Sequence, residues 1–418
     1  MGRSSDRGSL VFDWNGERSS ACGRVELNDE TLRDGLQSPS ATEPADALKR
    51  RLVHLMAELG IGTATIGFPA AGPRMLAQCR LLAREVASTR LPLALTCAAR
   101  AAPSDLAPIV ELAQETGLAI EAAAFIGTSA VRQAAEGWAL ERMLSAVDRA
   151  VAFGTRAGIP VMFVAEDASR AHPDTLAALC LAALRAGAGR ICLADTTGYA
   201  TPAGVTRLVG FVRERVTRSA GAAVGLDWHG HRDRGLALAN CLAAIAAGAD
   251  RVHATALGIG ERAGNAEMEQ LLANLYLLGA TSGNLQCLPE YCRTAAAALG
   301  IEIPAHHPVV GADAFRTGTG LHAAVILKAQ AAGDSTLADL LYSSLPAAAF
   351  GLVQQIAVTP ASGRANVRSW LAAHGYDPDD AVLADGLLAA AKRSDRALSD
   401  AECAVAVADA LARAAVHD

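Results

Sequence analysis

Residues 223–247 read AVGLDWHGHRDRGLALANCLAAIAA, an apolar stretch followed by a polar turn and a second, alanine-rich stretch. The composition of Ala223–Trp228 predicts a strand, and the spacing of apolar residues in Leu236–Ala247 predicts an amphipathic helix. A strand followed by a helix of this length is the unit from which parallel sheets are built. The fold therefore depends on how often this unit recurs along the chain.

The strand-and-helix pattern occurs eight times before about residue 288. The predicted strands are Val25–Asn28, Thr63–Gly67, Leu93–Thr96, Ala119–Phe125, Val161–Val164, Ile191–Ala194, Ala223–Trp228 and Val252–Ala254. Eight such units predict an α/β protein with a closed (β/α)₈ TIM barrel rather than an open doubly wound sheet. In addition, no G-x-G-x-x-G motif of a dinucleotide-binding sheet follows the first predicted strand.

The pattern changes near Leu288, where prolines and glycines interrupt the chain before helical stretches resume. We therefore predict a C-terminal helical region that follows the barrel. The predicted segments are a flexible N-terminal tail (1–23), the TIM barrel (24–287), a linker with a first helical subdomain (288–345) and a second helical subdomain (346–418).

The composition excludes several classes of protein. The 418 residues are 51% apolar and carry a net charge of −6, so the chain can bury a full core and is not intrinsically disordered. The acidic balance and the lack of a long basic run argue against a nucleic-acid or membrane-surface partner. The N-terminus lacks the apolar core of a signal peptide, and the longest uncharged run, Gln270–Pro289, is too polar to span a membrane. Nine scattered cysteines without a C-x-x-C pair predict buried free thiols in the reducing cytoplasm.

Polar side chains cluster just after five of the predicted strands. In a TIM barrel these positions lie together at the C-terminal ends of the strands, where active sites form. The sequence therefore predicts a polar site at this end of the barrel. The five segments are Asn28–Gln37, Glu166–Asp167, Asp195–Thr197, His229–His231 and Gly258–Asn265.

The His229-Gly230-His231 pair is the strongest single indication of chemistry. In extended backbone, residues i and i+2 point to the same side, so both imidazoles can meet one metal ion. An acid from the opposite side of the barrel mouth, where Arg33-Asp34 lies, would complete a set of two histidines and one carboxylate. Such a set also holds iron for oxygen chemistry, and two histidines at this spacing are structural in many proteins. The ligand types alone therefore leave the reaction open.

Five segments resemble the motifs of one known family. Residues 30–39 (ETLRDGLQSP), 229–237 (HGHRDRGLA) and 258–265 (GIGERAGN) are similar to the three signatures of the α-isopropylmalate/homocitrate synthases. These enzymes belong to the wider DRE-TIM metallolyase superfamily, which includes hydroxymethylglutaryl-CoA lyase. Two more stretches, 166–170 (EDASR) and 318–322 (GTGLH), fit in the same order. The resemblance covers residues 24 to about 365.

The resemblance implies a divalent metal ion (Mg²⁺, Mn²⁺ or Zn²⁺) that is bound by Asp34, His229 and His231. Asn265 is expected close by or as a further ligand. Acetyl-CoA would be the cosubstrate and a small-molecule 2-oxo acid the acceptor. The expected activity is that of an acyltransferase: a Claisen-type condensation followed by thioester hydrolysis, which gives a 2-substituted malate.

The same resemblance implies roles for five further residues. Arg33 is expected to stabilise negative charge, Thr196 to bind the acceptor carboxylate, and Glu166 to line the acceptor pocket. His322 and Tyr342, from the helical region, are expected to move protons at the methyl group of acetyl-CoA. In this family the pair typically reaches the barrel of the partner subunit, so we expect a homodimer.

Several features depart from the family pattern. Thr65 stands where the family commonly has an acid on strand 2, which helps to position the arginine after strand 1. Met162 stands where homocitrate synthases place an arginine for the distal carboxylate of 2-oxoglutarate, so we expect an apolar or differently anchored acceptor. Arg232 and Arg234 are either a surface pair or extra charge for an anionic acceptor. The chain ends at Asp418, so leucine-type allosteric inhibition through a further domain is not expected.

Two alternatives remain open from the sequence. A hydroxymethylglutaryl-CoA lyase would cleave the C–C bond, but such lyases carry a cysteine in the loop after strand 8, and Gly258–Arg262 has none. A non-catalytic paralogue is suggested by Thr65, whereas retention of the three candidate ligands argues against it. The remaining histidines match no family ligand and are predicted to be structural: His54, His253, His306, His307 and His374.

Overall fold

The structure is a computed structural model that describes residues 10–12, 14, 25–218, 223–281 and 283–415. Most of the predicted tail (1–23), including Cys22, lies outside the described residues. The chain divides into two compact units, one of residues up to 284 together with 291–301, the other of residues 285–290 and 302–418. The domain boundaries predicted after residues 287 and 345 remain predictions.

Eight parallel strands close into a barrel in chain order, with β8 paired to β1. This arrangement confirms the predicted α/β fold class and the (β/α)₈ TIM barrel. The strands are β1 (Glu26–Asp29), β2 (Thr63–Thr65), β3 (Ala94–Arg100), β4 (Glu121–Gly127), β5 (Val161–Glu166), β6 (Arg190–Asp195), β7 (Gly225–Gly230) and β8 (Arg251–Ala254).

Most strands form where predicted because each contains a short apolar run that is buried between the barrel interior and the surrounding helices. Several end later than predicted, since polar residues beyond the apolar run still pair in the sheet. Glu166 pairs with Gly127 across β4 and β5, and His229 pairs with Ala194 and His253. Two candidate site residues are therefore held by strand ladders rather than by loops.

Helices connect the strands and surround the barrel. Tyr291, a buried residue of α10, donates a hydrogen bond to the Asp29 carboxylate at the end of β1, which fixes this part of the helix to the barrel. The helices of this part of the chain are α1 (Asp46–Glu58), α2 (Pro73–Thr89), α3 (Pro103–Thr116), α4 (Ala130–Glu136), α5 (Leu140–Arg156), α6 (Pro173–Arg185), α7 (Pro202–Val212), α8 (Ala237–Ala246), α9 (Met268–Leu277) and α10 (Leu288–Leu299).

Paired charges fill the barrel interior below the site. The Asp227 carboxylate accepts hydrogen bonds from Arg190 Nη1 (2.7 Å) and Arg251 Nε (2.6 Å), and it lies 2.9 Å from His253 Nε2. Arg251 Nη2 also donates to Glu121 Oε2 at 2.6 Å. Burial opposes the charge of Asp227, but the arginines and His253 outweigh it and lower its pKa to about 2. Because these buried acidic and basic side chains pair with one another, they can fill the barrel interior below the site.

The second unit is mostly helical, as predicted for the C-terminal region. Its helices are α11 (Gly320–Ala331), α12 (Ser335–Tyr342), α13 (Arg364–Ala373), α14 (Ala381–Arg393) and α15 (Asp400–Ala414), and β9 (Arg316–Thr317) pairs with β10 (Gln355–Ile356). Leu371, Leu387 and Val407 belong to a buried cluster that joins the last three helices. Within the described ranges, the structure contains no helix with the length and apolarity needed to cross a bilayer.

Candidate active site and metal centre

A cavity of about 290 Å³ opens at the C-terminal ends of the barrel strands. Small-molecule sites in TIM barrels occupy this position. Its wall combines an apolar side, which includes Phe68, Phe125 and Val164, with a group of charged and polar side chains. Seven of the ten predicted site residues line it: Arg33, Asp34, Met162, Glu166, Thr196, His229 and His231.

The predicted metal ligands converge at the mouth of the barrel. His229 belongs to β7 and His231 follows it, so the two imidazoles project to the same side as expected for residues i and i+2. The Oδ2 atom of Asp34 lies 3.2 Å from His229 Nε2 and 3.6 Å from His231 Nε2. One potential ligand atom from each residue lies within 4.8 Å of the other two, and all three residues are buried.

Asn265 is held against this group by the loop after β8. It forms an isolated antiparallel bridge with His231, and Arg232 N donates to Gly264 O at 2.9 Å. A Cβ atom at Gly260 would lie 2.1 Å from Asn265 Nδ2 and 3.4 Å from Asp34 Oδ1. Only glycine at residue 260 therefore allows the Asn265 amide to lie beside Asp34.

These side chains fit a divalent cation. Within the described part of the chain, two of their buried atoms form no well-aligned hydrogen bond and could face a cation: Asp34 Oδ2 and Asn265 Oδ1. Burial raises the pKa of Asp34, but Arg33 and the two histidines lower it by more. The pKa of Asp34 therefore lies well below its usual range. Burial also lowers the pKa of His231 to about 4, so its imidazole is neutral and able to bind a cation. One carboxylate, two imidazoles and an amide oxygen suit a divalent metal ion.

Arg33 stands between the metal ligands and a second carboxylate. Its Nε atom donates to Glu30 Oε2 at 2.7 Å, and its Nη2 atom lies 3.6 Å from Asp34 Oδ2. The side chain is 20% exposed and lines the cavity. Its positive charge is therefore available to an oxygen that becomes negative in the cavity.

Glu30 and His253 are site residues that the sequence analysis did not single out. Glu30 is buried beside Arg33, and its Oε1 atom lies 3.2 Å from His253 Nδ1. Burial opposes protonation of His253, but Asp227 and Glu30 outweigh it and raise its pKa. The sequence offered only their location as a signal: Glu30 lies in the polar segment 28–37, and His253 lies in the predicted strand Val252–Ala254. His253 was predicted to be structural; the structure places it on the cavity wall.

The predicted acceptor-binding residues line another side of the cavity. Burial raises the pKa of Glu166 at the end of β5, although Arg132 Nε lies 3.5 Å from its Oε1 atom. The Thr196 hydroxyl oxygen accepts a hydrogen bond from Asp167 N at 2.8 Å, so its O–H can donate to a ligand. The Met162 sulfur lies 3.3 Å from Arg251 Nη2, at the floor of the cavity.

His322 and Tyr342 both belong to the second unit. Their rings stack, with centroids 3.9 Å apart and an interplanar angle of 23°. Tyr342 is 49% exposed. The structure therefore brings the two residues together, on α11 and α12, and their catalytic role remains a prediction.

The two unusual arginines after β7 contact protein groups. Arg232 pairs with the Glu267 carboxylate, and its Nε donates to Ala263 O at 2.7 Å. Arg234 Nη1 donates to Tyr199 O at 2.7 Å. These contacts favour the structural interpretation of Arg232 and Arg234 over a role in binding an anionic acceptor.

Comparison with known proteins places this site in a family. The HMGL-like family model matches residues 24–293. A 2-isopropylmalate synthase of Solidesulfovibrio magneticus is 35% identical over 73% of this chain and 59% of its own length. A Methanopyrus kandleri protein that is provisionally named an (R)-citramalate synthase is 32% identical over 94% of this chain and 74% of its own length.

A solved structure agrees on the fold. The hydroxymethylglutaryl-CoA lyase of Pseudomonas aeruginosa superposes with a TM-score of 0.56 at 22% identity, over 67% of this chain and 94% of that chain. This structural likeness concerns the barrel, whereas the sequence similarity to the synthases extends over most of the chain. The chain therefore belongs to the HMGL-like (DRE-TIM) family and, within it, is related to the 2-isopropylmalate and citramalate synthases.

Proposed function

We propose that this chain catalyses the divalent-metal-dependent condensation of acetyl-CoA with a 2-oxo acid, followed by hydrolysis of the thioester to a 2-substituted malate. The convergence of Asp34, His229 and His231 at the mouth of the barrel is the observation that carries the proposal. The relatedness of the chain to synthases supports it. The chain spans 59% and 74% of the length of the two relatives described above.

The polar side of the cavity would bind and orient the 2-oxo acid. Asp34, His229 and His231, with Asn265, would hold a divalent cation, which when bound supplies a Lewis acid for the keto oxygen. Thr196 would donate its hydroxyl proton to the acceptor carboxylate. Arg33 would stabilise the negative charge that develops on oxygen during condensation.

Proton transfer at the acetyl-CoA methyl group would fall to His322 and Tyr342. The α-proton of a thioester is very weakly acidic, so its removal needs a correctly placed base and a nearby positive charge. We propose that these residues serve the barrel of a partner subunit in a homodimer, and that the enzyme works in the cytoplasm. Hydrolysis of the thioester would then make the condensation effectively irreversible.

The cavity favours an acceptor with an apolar side chain. Its floor contains Met162 rather than a cationic side chain, and the charge of the nearby Arg251 is taken by Asp227 and Glu121. A second carboxylate buried here without a partner would cost several kcal/mol, more than an unpaired amide or hydroxyl does. We therefore expect short apolar 2-oxo acids to be used in preference to 2-oxoglutarate.

A free-thiol assay tests the proposal. Purified protein is incubated with acetyl-CoA, a divalent metal and one member of a panel of 2-oxo acids, with Asp34→Asn as the inactive variant and Arg234→Ala as its control. We expect acceptor-dependent CoA release that a chelator and Asp34→Asn both abolish and Arg234→Ala leaves unchanged. CoA release that does not depend on the acceptor, or that the chelator does not reduce, contradicts the proposal. Cleavage of hydroxymethylglutaryl-CoA without any condensation would establish the lyase alternative instead.

A further inference from the structure

We propose that Glu30 is the positioning residue for Arg33, and that it supplies from the end of β1 the carboxylate that the related synthases were expected to place at residue 65 on β2. The inference rests on the proposed function insofar as Arg33 acts on the substrate. Glu30 would not touch the substrate itself. It would fix the direction in which the guanidinium of Arg33 points.

The contacts of Glu30 leave its carboxylate one orientation. Oε2 accepts from Arg33 Nε at 2.7 Å, while Oε1 accepts from Asn28 Nδ2 and Thr65 Oγ1, each at 2.9 Å. Asn28 Nδ2 also donates to Thr65 Oγ1 at 3.0 Å, so the supporting groups are tied to each other. The Glu30 side chain is 4% exposed. A charge-assisted hydrogen bond in such a buried setting is both strong and directional.

The backbone holds the two residues at a fixed separation. Glu30 N donates to Ala254 O on β8 at 2.9 Å, and the Glu30 carbonyl accepts from Arg33 N and Gly35 N, each at 3.1 Å. The turn therefore begins at Glu30, at the end of the sheet, and brings the side chain of Arg33 back to the Glu30 carboxylate. Arg33 Nη1 donates to Gln37 Oε1 at 3.4 Å, a distance at the long end of the hydrogen-bond range.

Without the Glu30 carboxylate, the nearest anion for Arg33 is Asp34. The distance from Arg33 Nη2 to Asp34 Oδ2 is already 3.6 Å. A guanidinium released from Glu30 would keep this longer contact but lose the hydrogen bond that fixes its direction. Glu30 thus fixes how the positive charge of Arg33 faces the cavity.

The position of Thr65 explains how a threonine is tolerated on β2. Its hydroxyl lies 2.9 Å from Glu30 Oε1, so a longer acidic side chain at residue 65 would reach the same region of the barrel. A carboxylate at either residue 30 or residue 65 can therefore face Arg33. The structure assigns this role to residue 30, with Thr65 as a hydrogen-bond donor to it.

A competing role for Glu30 is that of a metal ligand. Ligand atoms of Glu30, His229 and His253 lie within 4.8 Å of one another. However, the Glu30 carboxylate already pairs with Arg33, and His253 is held between Glu30 and Asp227. A cation placed among these residues would have to replace the pairing of Glu30 with Arg33 and that of His253 with Asp227.

The test is an exchange of side chains between residues 30 and 65. The variants are Glu30→Gln, Glu30→Thr, Thr65→Glu and the double variant Glu30→Thr/Thr65→Glu. The matched control is Glu85→Gln, since Glu85 pairs with Arg50 and His54 on the outside of the barrel. We expect Glu30→Gln and Glu30→Thr to lower kcat about 10–100-fold. KM for acetyl-CoA and the affinity for Mn²⁺ should stay close to the wild-type values, because Glu30 would touch neither acetyl-CoA nor the cation.

The double variant decides between positioning and a merely structural role. We expect kcat of the double variant to be at least about tenfold higher than kcat of Glu30→Thr, because a carboxylate again faces Arg33. No recovery in a folded double variant, or kcat within twofold of wild type for Glu30→Gln, overturns the proposal. A loss of Mn²⁺ affinity in Glu30→Gln with an unchanged kcat at saturating Mn²⁺ also overturns it, because Glu30 would then act on the cation and not on Arg33.

A measurement without substrate separates this inference from the proposed function. Urea unfolding midpoints of Glu30→Gln, Arg33→Gln and the corresponding double variant form a double-mutant cycle. We expect strongly non-additive midpoint shifts, since either single change removes the charged partner of the other residue. Additive shifts would overturn the pairing of Glu30 with Arg33. Absence of CoA release by the wild-type protein would overturn the proposed function alone.

Discussion

At the scale of single residues, we propose that Met162 most directly limits the choice of acceptor. It lies at the cavity floor with its sulfur 3.3 Å from Arg251 Nη2. We expect Met162→Arg to raise the preference for 2-oxoglutarate over an apolar 2-oxo acid by at least about tenfold in kcat/KM, because a guanidinium can pair with the distal carboxylate.

The matched control for this change is Met162→Leu, which keeps the floor apolar and should leave the preference unchanged. Steady-state kinetics with both acceptors measures the two ratios. An unaltered ratio in a folded Met162→Arg variant would show that the distal group of the acceptor lies elsewhere.

Asp29 predicts a pH dependence of stability that is separate from catalysis. Burial raises the pKa of Asp29 from 3.8 to about 6, despite hydrogen bonds from Tyr291 and Thr31. Between these values the folded protein holds a proton that the unfolded chain has lost, so the contribution of Asp29 to stability is present at low pH and falls as the pH rises to 6. We expect Asp29→Asn to remove this loss, which is about 3 kcal/mol for a shift of this size.

Urea unfolding between pH 4 and pH 7 measures the effect. Asp148→Asn, a change of the same charge at an exposed residue of α5, serves as the control and should follow the wild-type curve. Parallel curves for wild type and Asp29→Asn would contradict the account of Asp29.

Sequence reasoning reached some of these residues and missed others for a physical reason. Asp34, His229 and His231 were predictable because motif spacing and the period of a strand determine which side chains meet. The part played by Glu30 was not, since it depends on the side-chain conformation of Arg33 and on a hydroxyl of β2. Residues that act through another side chain carry no spacing signal of their own.

At the scale of elements, a close approach of two main-chain segments holds the loop after β8. Gly264 has a φ of +102°, and a Cβ atom there would lie 1.9 Å from Gly258 O. A side chain at residue 264 has two costs: the positive φ and the contact with Gly258 O. We expect the contact to lower the free energy of unfolding of Gly264→Ala by about 1–3 kcal/mol beyond the cost of the positive φ, because the main chain must move. The displacement would also move Asn265 and weaken cation binding.

Gly279→Ala is the matched control for this loop. Gly279 has a φ of +70°, and a Cβ atom at this residue would have no neighbouring atom within 4 Å, so its replacement tests the cost of the backbone conformation by itself. Chemical denaturation compares the two variants. Equal losses of stability would contradict the close approach inferred at Gly264.

The existence and order of the strands were predictable, whereas their C-terminal ends were not. Apolar runs marked all eight strands, but β5 and β7 continue into Glu166 and His229, because ladder hydrogen bonds do not require apolar side chains. Because Glu166 and His229 are polar, the sequence indicated a site at these residues but placed the ends of β5 and β7 before them.

At the scale of the whole molecule, the proposed homodimer predicts complementation between inactive subunits. If His322 serves the partner's barrel, a heterodimer of Asp34→Asn and His322→Ala subunits contains one site with both residues intact. Random exchange makes half of the dimers mixed, so a mixture should regain about a quarter of wild-type activity. Activity after subunit exchange measures this.

The control is a mixture of His322→Ala with Tyr342→Phe subunits, in which no dimer can have both residues intact at one site. This mixture should remain as inactive as its parents. No recovery in a mixture that native mass spectrometry shows to contain Asp34→Asn/His322→Ala heterodimers would contradict action across the subunits.

The sequence predicted a barrel and a helical region for the whole molecule, because the repeat of strand and helix stops near Leu288. The exact division was harder to predict, since α10 continues the helical pattern and Tyr291 pairs with Asp29 of the barrel. A single long-range hydrogen bond between buried groups leaves no periodic trace in a sequence.

The central claim is that Asp34, His229 and His231 hold one divalent cation at the mouth of the barrel, and equilibrium titration of the metal-free protein with Mn²⁺ tests it most directly. We expect one site per chain, with affinity weakened more than about tenfold by Asp34→Asn or His231→Gln. His54→Gln, which alters a histidine paired with Glu85 outside the cavity, should leave the affinity unchanged. Undiminished binding in Asp34→Asn and His231→Gln would contradict the claim.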